Sequence, residues 1–196
     1  TGSCTVMMEI LSMVSQDRKR ELEEKINKSK EIIREAFKKF KPEETAHTWT
    51  GGKDSTTTLW IIRNVCLEDR IKVPKILTIN EGDRFPEIDE FIHKYAKEWG
   101  LDVEILVNKD VYDAAGGILG VQVVLSRLSE RNQRELREKL ELDVEKFPFE
   151  AESFIGNHLM KTVPLNMFIE RSGVKAIFQG LRWDEHPARK NDQYFD

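Results

Sequence analysis

From Thr45 onward, strand-like segments alternate with helix-like segments, and this alternation constrains the fold more than any other feature. The predicted strands are short and rich in aliphatic and β-branched residues: 45–50, 75–80, 102–107 and 175–180. The predicted helices have apolar residues at helical spacing: 55–68, 85–99 and 160–172. Alternation of this kind favours a parallel sheet covered on both faces. We therefore predict an α/β fold, a doubly wound, mostly parallel sheet of about five strands.

A charged segment precedes the alternation. Its apolar residues, between positions 16 and 41, are spaced by three, four or seven residues and share one helical stripe: Leu22, Ile26, Ile33, Phe37 and Phe40. Pro42 ends this predicted helix. We predict that residues 1–44 form an N-terminal helical extension laid against an α/β domain at 45–196.

A long excursion, residues 110–158, separates the third and fourth predicted strands. It contains the run AAGG at 114–117 and then a charged stretch with sparse leucines. Loops this long inside a compact domain are usually functional or mobile. We predict a lid insertion over the active-site edge; a plain pair of solvated helices is the alternative.

Composition argues against several classes of protein. The chain has 31 Lys+Arg and 35 Asp+Glu, a net charge of −4, whereas generic nucleic-acid coats are basic, so nucleic acid is not a predicted partner. No apolar run approaches the roughly 20 residues of a membrane helix, which predicts a soluble protein with no membrane partner.

The two cysteines, Cys4 and Cys66, form no CxxC pair. They favour a reducing, cytoplasmic setting over a zinc ribbon or an iron–sulfur protein.

The strongest chemical signal is the hexapeptide TGGKDS at 50–55, directly between a predicted strand and a predicted helix. Two glycines allow a tight turn that brings backbone N–H groups close to an anion. A lysine and hydroxyls at a helix start add to the attraction, because the helix dipole also favours negative charge there. A Gly-Gly turn that merely carries a lysine is the alternative. The residues predicted to bind phosphate are Thr50, Gly51, Gly52, Lys53, Asp54, Ser55 and Thr56.

The hexapeptide fits neither of two common phosphate motifs. Walker A needs Gly at 47 and Ser or Thr at 54, where the chain has His47 and Asp54. The Rossmann GxGxxG also fails. The string instead resembles the SGGKDS PP-loop of the adenine-nucleotide α-hydrolase superfamily, with Thr50 in place of the leading serine.

Three further segments resemble the phosphoadenosine phosphosulfate (PAPS) reductase family, which also contains the ATP sulfurylase small subunit and FAD synthetases. Residues 80–87, NEGDRFPE, are similar to its D-T-G-x-x-F-P-E segment. Residues 161–165, KTVPL, are similar to K-V-x-P-L. Residues 180–189, GLRWDEHPAR, are similar to G-x-R-x-D-[EQ]-x-P-x-R. The resemblance implies the adenine-nucleotide α-hydrolase variant of the fold, with ATP, APS or PAPS as ligand, and it adds Gly82 to the predicted nucleotide-binding residues.

Four of the charged residues that follow the last predicted strand are candidates for the site. Ligands of open parallel sheets bind at the carboxyl edge of the strands, and arginine forks suit phosphate or sulfate, so Arg182 and Arg189 are predicted ligand-binding residues. A surface salt-bridge cluster is the alternative. Asp184 and Glu185 are candidates to hold Mg²⁺ through substrate phosphates. A helix-capping or arginine-orienting role is the alternative for these two.

Two departures from the family pattern stand out. Asn80 and Glu81 replace an acid and a hydroxyl. Gly156 and Asn157 stand where the iron–sulfur reductases of the family have paired cysteines, so no iron–sulfur cluster is predicted.

The leading functional hypothesis is an enzyme that acts at the α-phosphate of ATP. An acceptor oxyanion attacks, pyrophosphate leaves, Mg²⁺ bridges phosphate oxygens, and the predicted catalytic residues are Lys53, Arg182 and Arg189. A PAPS or APS reductase whose C-terminal cysteine tail is absent from this chain is the second hypothesis. A non-catalytic nucleotide-binding module is the third. The resemblance implies a partner subunit for the first hypothesis and thioredoxin for the second.

Overall fold

The computed structural model describes residues 2–181, and for residues 2–14 the backbone alone. The helices are α1 (Gly2–Lys39), α2 (Lys53–Asp69), α3 (Pro86–Trp99), α4 (Lys109–Ala114), α5 (Glu130–Arg134), α6 (Phe154–Asn157) and α7 (Val163–Ser172). The strands are β1 (Thr45–Thr48), β2 (Lys75–Ile79), β3 (Val103–Leu106), β4 (Gln122–Val124), β5 (Lys146–Pro148) and β6 (Ala176–Phe178). Short 3₁₀ turns occupy Pro42–Glu44 and Leu125–Arg127.

The main sheet has the strand order β3-β2-β1-β6, and every pairing in it is parallel. His47 in the central strand β1 lies opposite Ile76 on one side and Phe178 on the other. The predicted α/β fold with a parallel sheet is confirmed, with four parallel strands in the described part of the chain. Because the strands are parallel, the loops that follow them all emerge at one edge.

Helices cover both faces of this sheet. Successive strand residues point to opposite faces, so Ile76 packs with Leu59 of α2 and Ile92 of α3. The next residue along β2, Leu77, packs instead with Phe168 of α7. The layer order is therefore helix, sheet, helix, as a doubly wound fold requires.

The N-terminal helix docks on α2 through the C-terminal half of its apolar stripe. Ile33 is buried against α2, whereas Leu22 is 58% exposed. Ion pairs reinforce the contact: Lys30 Nζ lies 2.6 Å from Glu68, and Arg34 Nε lies 2.8 Å from Asp69. Although α1 is 38 residues long, no helix in the described residues is both long and apolar enough to span a bilayer.

The excursion folds as a compact unit around its own apolar cluster. β4 and β5 pair antiparallel, and buried side chains from Val111 to Val163 pack together with them. Two segments, Glu135–Lys139 and His158–Thr162, are π-helical. The second of these delays the start of α7 to Val163, where sequence patterning predicted a helix from Met160. The lid role of residues 110–158 stays a prediction.

Candidate functional site

The TGGKDS loop lies at the carboxyl edge of the sheet, wedged between two neighbouring elements. Gly51 has a φ of +79°, and a Cβ there would lie 2.8 Å from Ile88 Cγ2 on the first turn of α3. A Cβ on Gly180, just after β6, would lie 2.8 Å from the Asp54 carbonyl oxygen. Both approaches are closer than real Cβ contacts, so only glycine fits these two positions without displacement of a neighbour.

Hydroxyl groups hold the shape of the loop from within. Ser55 Oγ donates to the Gly52 carbonyl oxygen at 3.2 Å and accepts from the Thr50 backbone N–H at 3.2 Å. The two side-chain hydroxyls of Thr50 and Ser55 lie 3.0 Å apart, and Thr50 Oγ1 accepts from the Gly52 N–H. Ser55 is buried, with 7% of its surface exposed. Its hydroxyl therefore bonds to groups of the loop itself and holds the loop in shape. A hydroxyl at the leading position serves the same purpose, which explains why threonine can replace serine there.

The N-terminus of α2 faces the same edge. Gly52 is its N-cap residue and provides no side-chain cap. Lys53 is exposed and forms no ion pair with any residue in the range 2–181. The Thr56 hydroxyl accepts from Trp49 Nε1 at 2.9 Å, so this predicted phosphate ligand anchors a buried tryptophan. The first-turn N–H groups and Lys53 together present positive charge to an anion.

A fully buried histidine beneath the loop joins three elements. His47 Nε2 lies 3.0 Å from the Ser55 carbonyl oxygen, and Nδ1 lies 3.0 Å from the Phe178 carbonyl oxygen. Burial lowers the pKa of His47 to about 4, so the ring is neutral at neutral pH. Sequence reasoning missed this residue, although a polar side chain inside an otherwise buried strand was a visible signal.

The loop after β2 places Gly82 at the same edge. Asn80 Oδ1 accepts from the Gly82 N–H at 3.0 Å and closes a tight turn. Gly82 has a φ of +98°, and a Cβ there would overlap the ring of Phe149 from the excursion. Glu81 lies 3.7 Å from Lys161 Nζ, and burial raises its pKa, with the charge of Lys161 acting in the opposite direction. The loop therefore joins the sheet edge to the excursion.

Several predicted site residues lie outside the described residues: Arg182, Asp184, Glu185 and Arg189. Their roles stay predictions. Of the predicted site residues, the described part of the chain places the TGGKDS loop and Gly82 at one edge of the sheet.

Two observations bear on cluster and metal binding. A Cβ on Gly156 would overlap the Glu150 carbonyl oxygen, so a cysteine could not occupy position 156 without movement of the backbone. No group of three His, Cys, Asp or Glu among the described residues is placed to hold a metal ion.

His158 is a largely buried residue of the excursion that pairs with a carboxylate. Its side chain is 16% exposed, and Nε2 lies 2.8 Å from Oε2 of the buried Glu135. Glu135 also pairs with Lys139 at 2.9 Å. Sequence reasoning missed this pair because its members are 23 positions apart.

Comparison with known proteins fits this geometry. A family model described as the phosphoadenosine phosphosulfate reductase domain matches residues 44–196. The chain belongs to this family. Among curated proteins, sulfate adenylyltransferase subunit 2 of Proteus mirabilis is 26% identical to this chain over 164 residues, which cover 84% of this chain and 43% of that protein. The same subunit of Aeromonas salmonicida is 26% identical over 189 residues, covering 96% of this chain and 50% of that protein.

The chain thus spans half or less of the length of these curated relatives. Among solved structures, a phosphate complex of PAPS reductase from Candida auris is similar, with 18% identity and a TM-score of 0.49. That match covers 79% of this chain and 61% of the reductase.

Proposed function

We propose that this PAPS reductase family domain binds ATP and acts at its α-phosphate, transferring the adenylyl group to an oxyanion such as sulfate with release of pyrophosphate. The observation that carries the proposal is the braced TGGKDS loop, which presents exposed Lys53 and the uncapped N-terminus of α2 at the carboxyl edge of the sheet. The curated relatives named sulfate adenylyltransferase subunit 2 support the choice of reaction.

In this mechanism the loop holds the leaving group. Lys53 and the first-turn N–H groups of α2 contact the β- and γ-phosphates, where negative charge grows as pyrophosphate departs. Ser55 and Thr50 keep these donors in place through their mutual hydrogen bonds. A sulfate acceptor is already an anion, so its attack needs no general base. Arg182 and Arg189 are proposed to hold the acceptor or the terminal phosphates.

Magnesium would be held through the phosphates of the nucleotide rather than by the loop itself. The described loop residues offer N–H groups, hydroxyls and an ammonium group, which suit phosphate oxygens better than a bare cation. Mg²⁺ typically binds through substrate phosphates plus one or two carboxylates. Asp184 and Glu185 are the proposed carboxylates. When bound, the ion would neutralise charge on the phosphate chain.

The reductase alternative receives no support from Cys66. This thiol is buried, and burial raises its pKa to about 11, so its reactive thiolate form is rare at neutral pH. A reductase would need a nucleophilic cysteine elsewhere and thioredoxin as partner. For the adenylyl-transfer reaction we propose a partner subunit instead, because the relatives are named as one subunit of their enzyme.

Calorimetric titration with ATP, APS and PAPS, each with and without Mg²⁺, tests the proposal. We expect ATP binding that requires Mg²⁺ and falls about tenfold or more in Lys53→Ala. Lys25→Ala is the matched control, since Lys25 is an exposed lysine on α1, far along the chain from the loop. A preference for PAPS or APS would favour the reductase. Binding of none of the three nucleotides would contradict the proposed function.

A further inference from the structure

One arginine at the carboxyl edge has a donor without an acceptor. Arg84 lies in the loop between β2 and α3, and its side chain is 10% exposed. Its Nη1 donates to Asp89 Oδ1 at 2.7 Å. Its Nη2 is shielded from solvent and has no hydrogen-bond acceptor within the described part of the chain. Buried arginines are rare unless paired. The described contacts explain why Nη1 is buried, but not why Nη2 is.

A second arginine with an unpartnered nitrogen, Arg131, has a side chain that is 31% exposed, and it illustrates a structural role. Arg131 gives both terminal nitrogens to the two carboxylate oxygens of Glu170, at 2.6 and 2.8 Å. Only its inner Nε is without a partner. In Arg84 the unpartnered atom is a terminal nitrogen, the kind that arginine uses for bidentate contacts with planar or tetrahedral oxyanions.

The position of Arg84 connects it with the TGGKDS loop. Its anchor, Asp89, follows Ile88 on the first turn of α3, and that isoleucine is the side chain against which Gly51 packs. The guanidinium of Arg84 is thus hydrogen-bonded to the same turn of α3 that contacts the TGGKDS loop.

Carboxylates lie around Arg84: Asp89 pairs with it, and Glu81 is close enough for the two charges to interact. Lys161, the other cation near the β2–α3 loop, lies 3.7 Å from Glu81 and is offset by that carboxylate. Asp89 is about half exposed, so water weakens its hold on Arg84.

We propose that Arg84 is an oxyanion-binding residue of the nucleotide site, donating Nη2 to a phosphate or sulfate oxygen. The contact would be separate from that of Lys53. Because Nη2 is shielded from water, a charge-assisted hydrogen bond there would be stronger than one at an exposed lysine. The inference rests on the proposed function only in assuming that this edge receives an anionic ligand. The oxygen would belong either to the nucleotide or to the acceptor.

Titration of the purified chain with inorganic sulfate, inorganic phosphate and ATP with Mg²⁺ tests the proposal and distinguishes the two sources. We expect Arg84→Gln to weaken binding of at least one of these ligands about tenfold or more, and Arg84→Lys to restore part of it. Loss confined to sulfate would assign Arg84 to the acceptor, and loss of ATP affinity would assign it to the nucleotide. Asp89→Asn keeps the guanidinium and an acceptor oxygen, so it should change affinity by less than about threefold.

Arg131→Gln is the matched control, because it also removes a partly buried arginine with one unpartnered nitrogen. We expect it to lower thermal stability without loss of anion affinity. Three outcomes would overturn the proposal: unchanged affinities in Arg84→Gln, an equal loss in Arg131→Gln, or no saturable binding of any of the three ligands by the wild-type chain. Sulfate or phosphate binding that depends on Arg84, in a chain that does not bind ATP, would support this proposal while contradicting the proposed function.

Discussion

Acidification should destabilise the protein through His47. The pKa of this buried ring is about 4 in the folded chain, against an ordinary value of 6.5. Between these values the unfolded ring binds a proton that the folded ring does not. The stability that the neutral ring contributes is therefore fully present above pH 6.5 and is lost as the pH falls toward 4. One pKa unit corresponds to about 1.4 kcal/mol, so acidification from pH 7 to pH 4 should remove about 3 kcal/mol through this group.

The sign depends on which of two opposing effects is larger. Burial penalises the charged ring, whereas the carbonyl oxygens of Ser55 and Phe178, each 3.0 Å from a ring nitrogen, favour it, because only imidazolium can donate to both. Burial is the larger effect. If the carbonyls prevailed, the folded ring would hold its proton near neutrality, and acidification through pH 7 to 6 would stabilise the protein.

Urea unfolding at pH 7.5, 6.5, 5.5 and 4.5 measures the effect. His47→Gln removes the titrating group. The carboxylates contribute equally to the pH dependence of the variant and of the wild type, so their contribution cancels when the two are subtracted. We expect the wild type to lose up to about 1.4 kcal/mol per pH unit more than His47→Gln below pH 6. His93→Gln, at an exposed position on α3, should retain the wild-type dependence. Equal pH dependence in the wild type and His47→Gln, or a difference of the opposite sign, would refute the reasoning.

Three further perturbations test the packing around the site. Gly180→Ala places a methyl group against the backbone at the start of α2, so ATP affinity measured by calorimetry should fall about tenfold or more while Gln179→Ala keeps it. Gly82→Ala should lower the free energy of unfolding by about 1–3 kcal/mol through overlap with the Phe149 ring, and a double-mutant cycle with Phe149→Ala should show that the two effects are not additive. Ile33→Ala should cost about 2–4 kcal/mol in urea unfolding, because the side chain is buried between α1 and α2; no loss would mean that α1 is not docked.

Sequence patterning predicted the elements of the main sheet because their apolar periodicity is local. The second strand, predicted at 75–80, is observed at Lys75–Ile79, and the second helix of the domain, predicted from Phe85, begins at Pro86. The compact core of the excursion was not predicted. Its apolar residues are sparse in any one window and form a cluster only when distant segments, such as those that contain Val111 and Phe147, fold together.

The same distinction applies to the site. The TGGKDS loop was predictable because glycines, lysine and hydroxyls lie within six consecutive residues. His47 was not, since one of its carbonyl partners, Phe178, is 131 positions away. Arg84 was missed for a related reason, because its significance lies in an unpartnered nitrogen, which only the folded chain reveals.

The two π-helical turns have a consequence for how this region tolerates changes in length. Each N–H in such a turn bonds to the carbonyl five residues back rather than four, so the turn holds one residue more than an α-helix. Deleting one residue within Glu135–Lys139 or His158–Thr162 would let that turn revert to an α-helix while its backbone hydrogen bonds re-form. Alignments of related chains should therefore place single-residue gaps at these two turns.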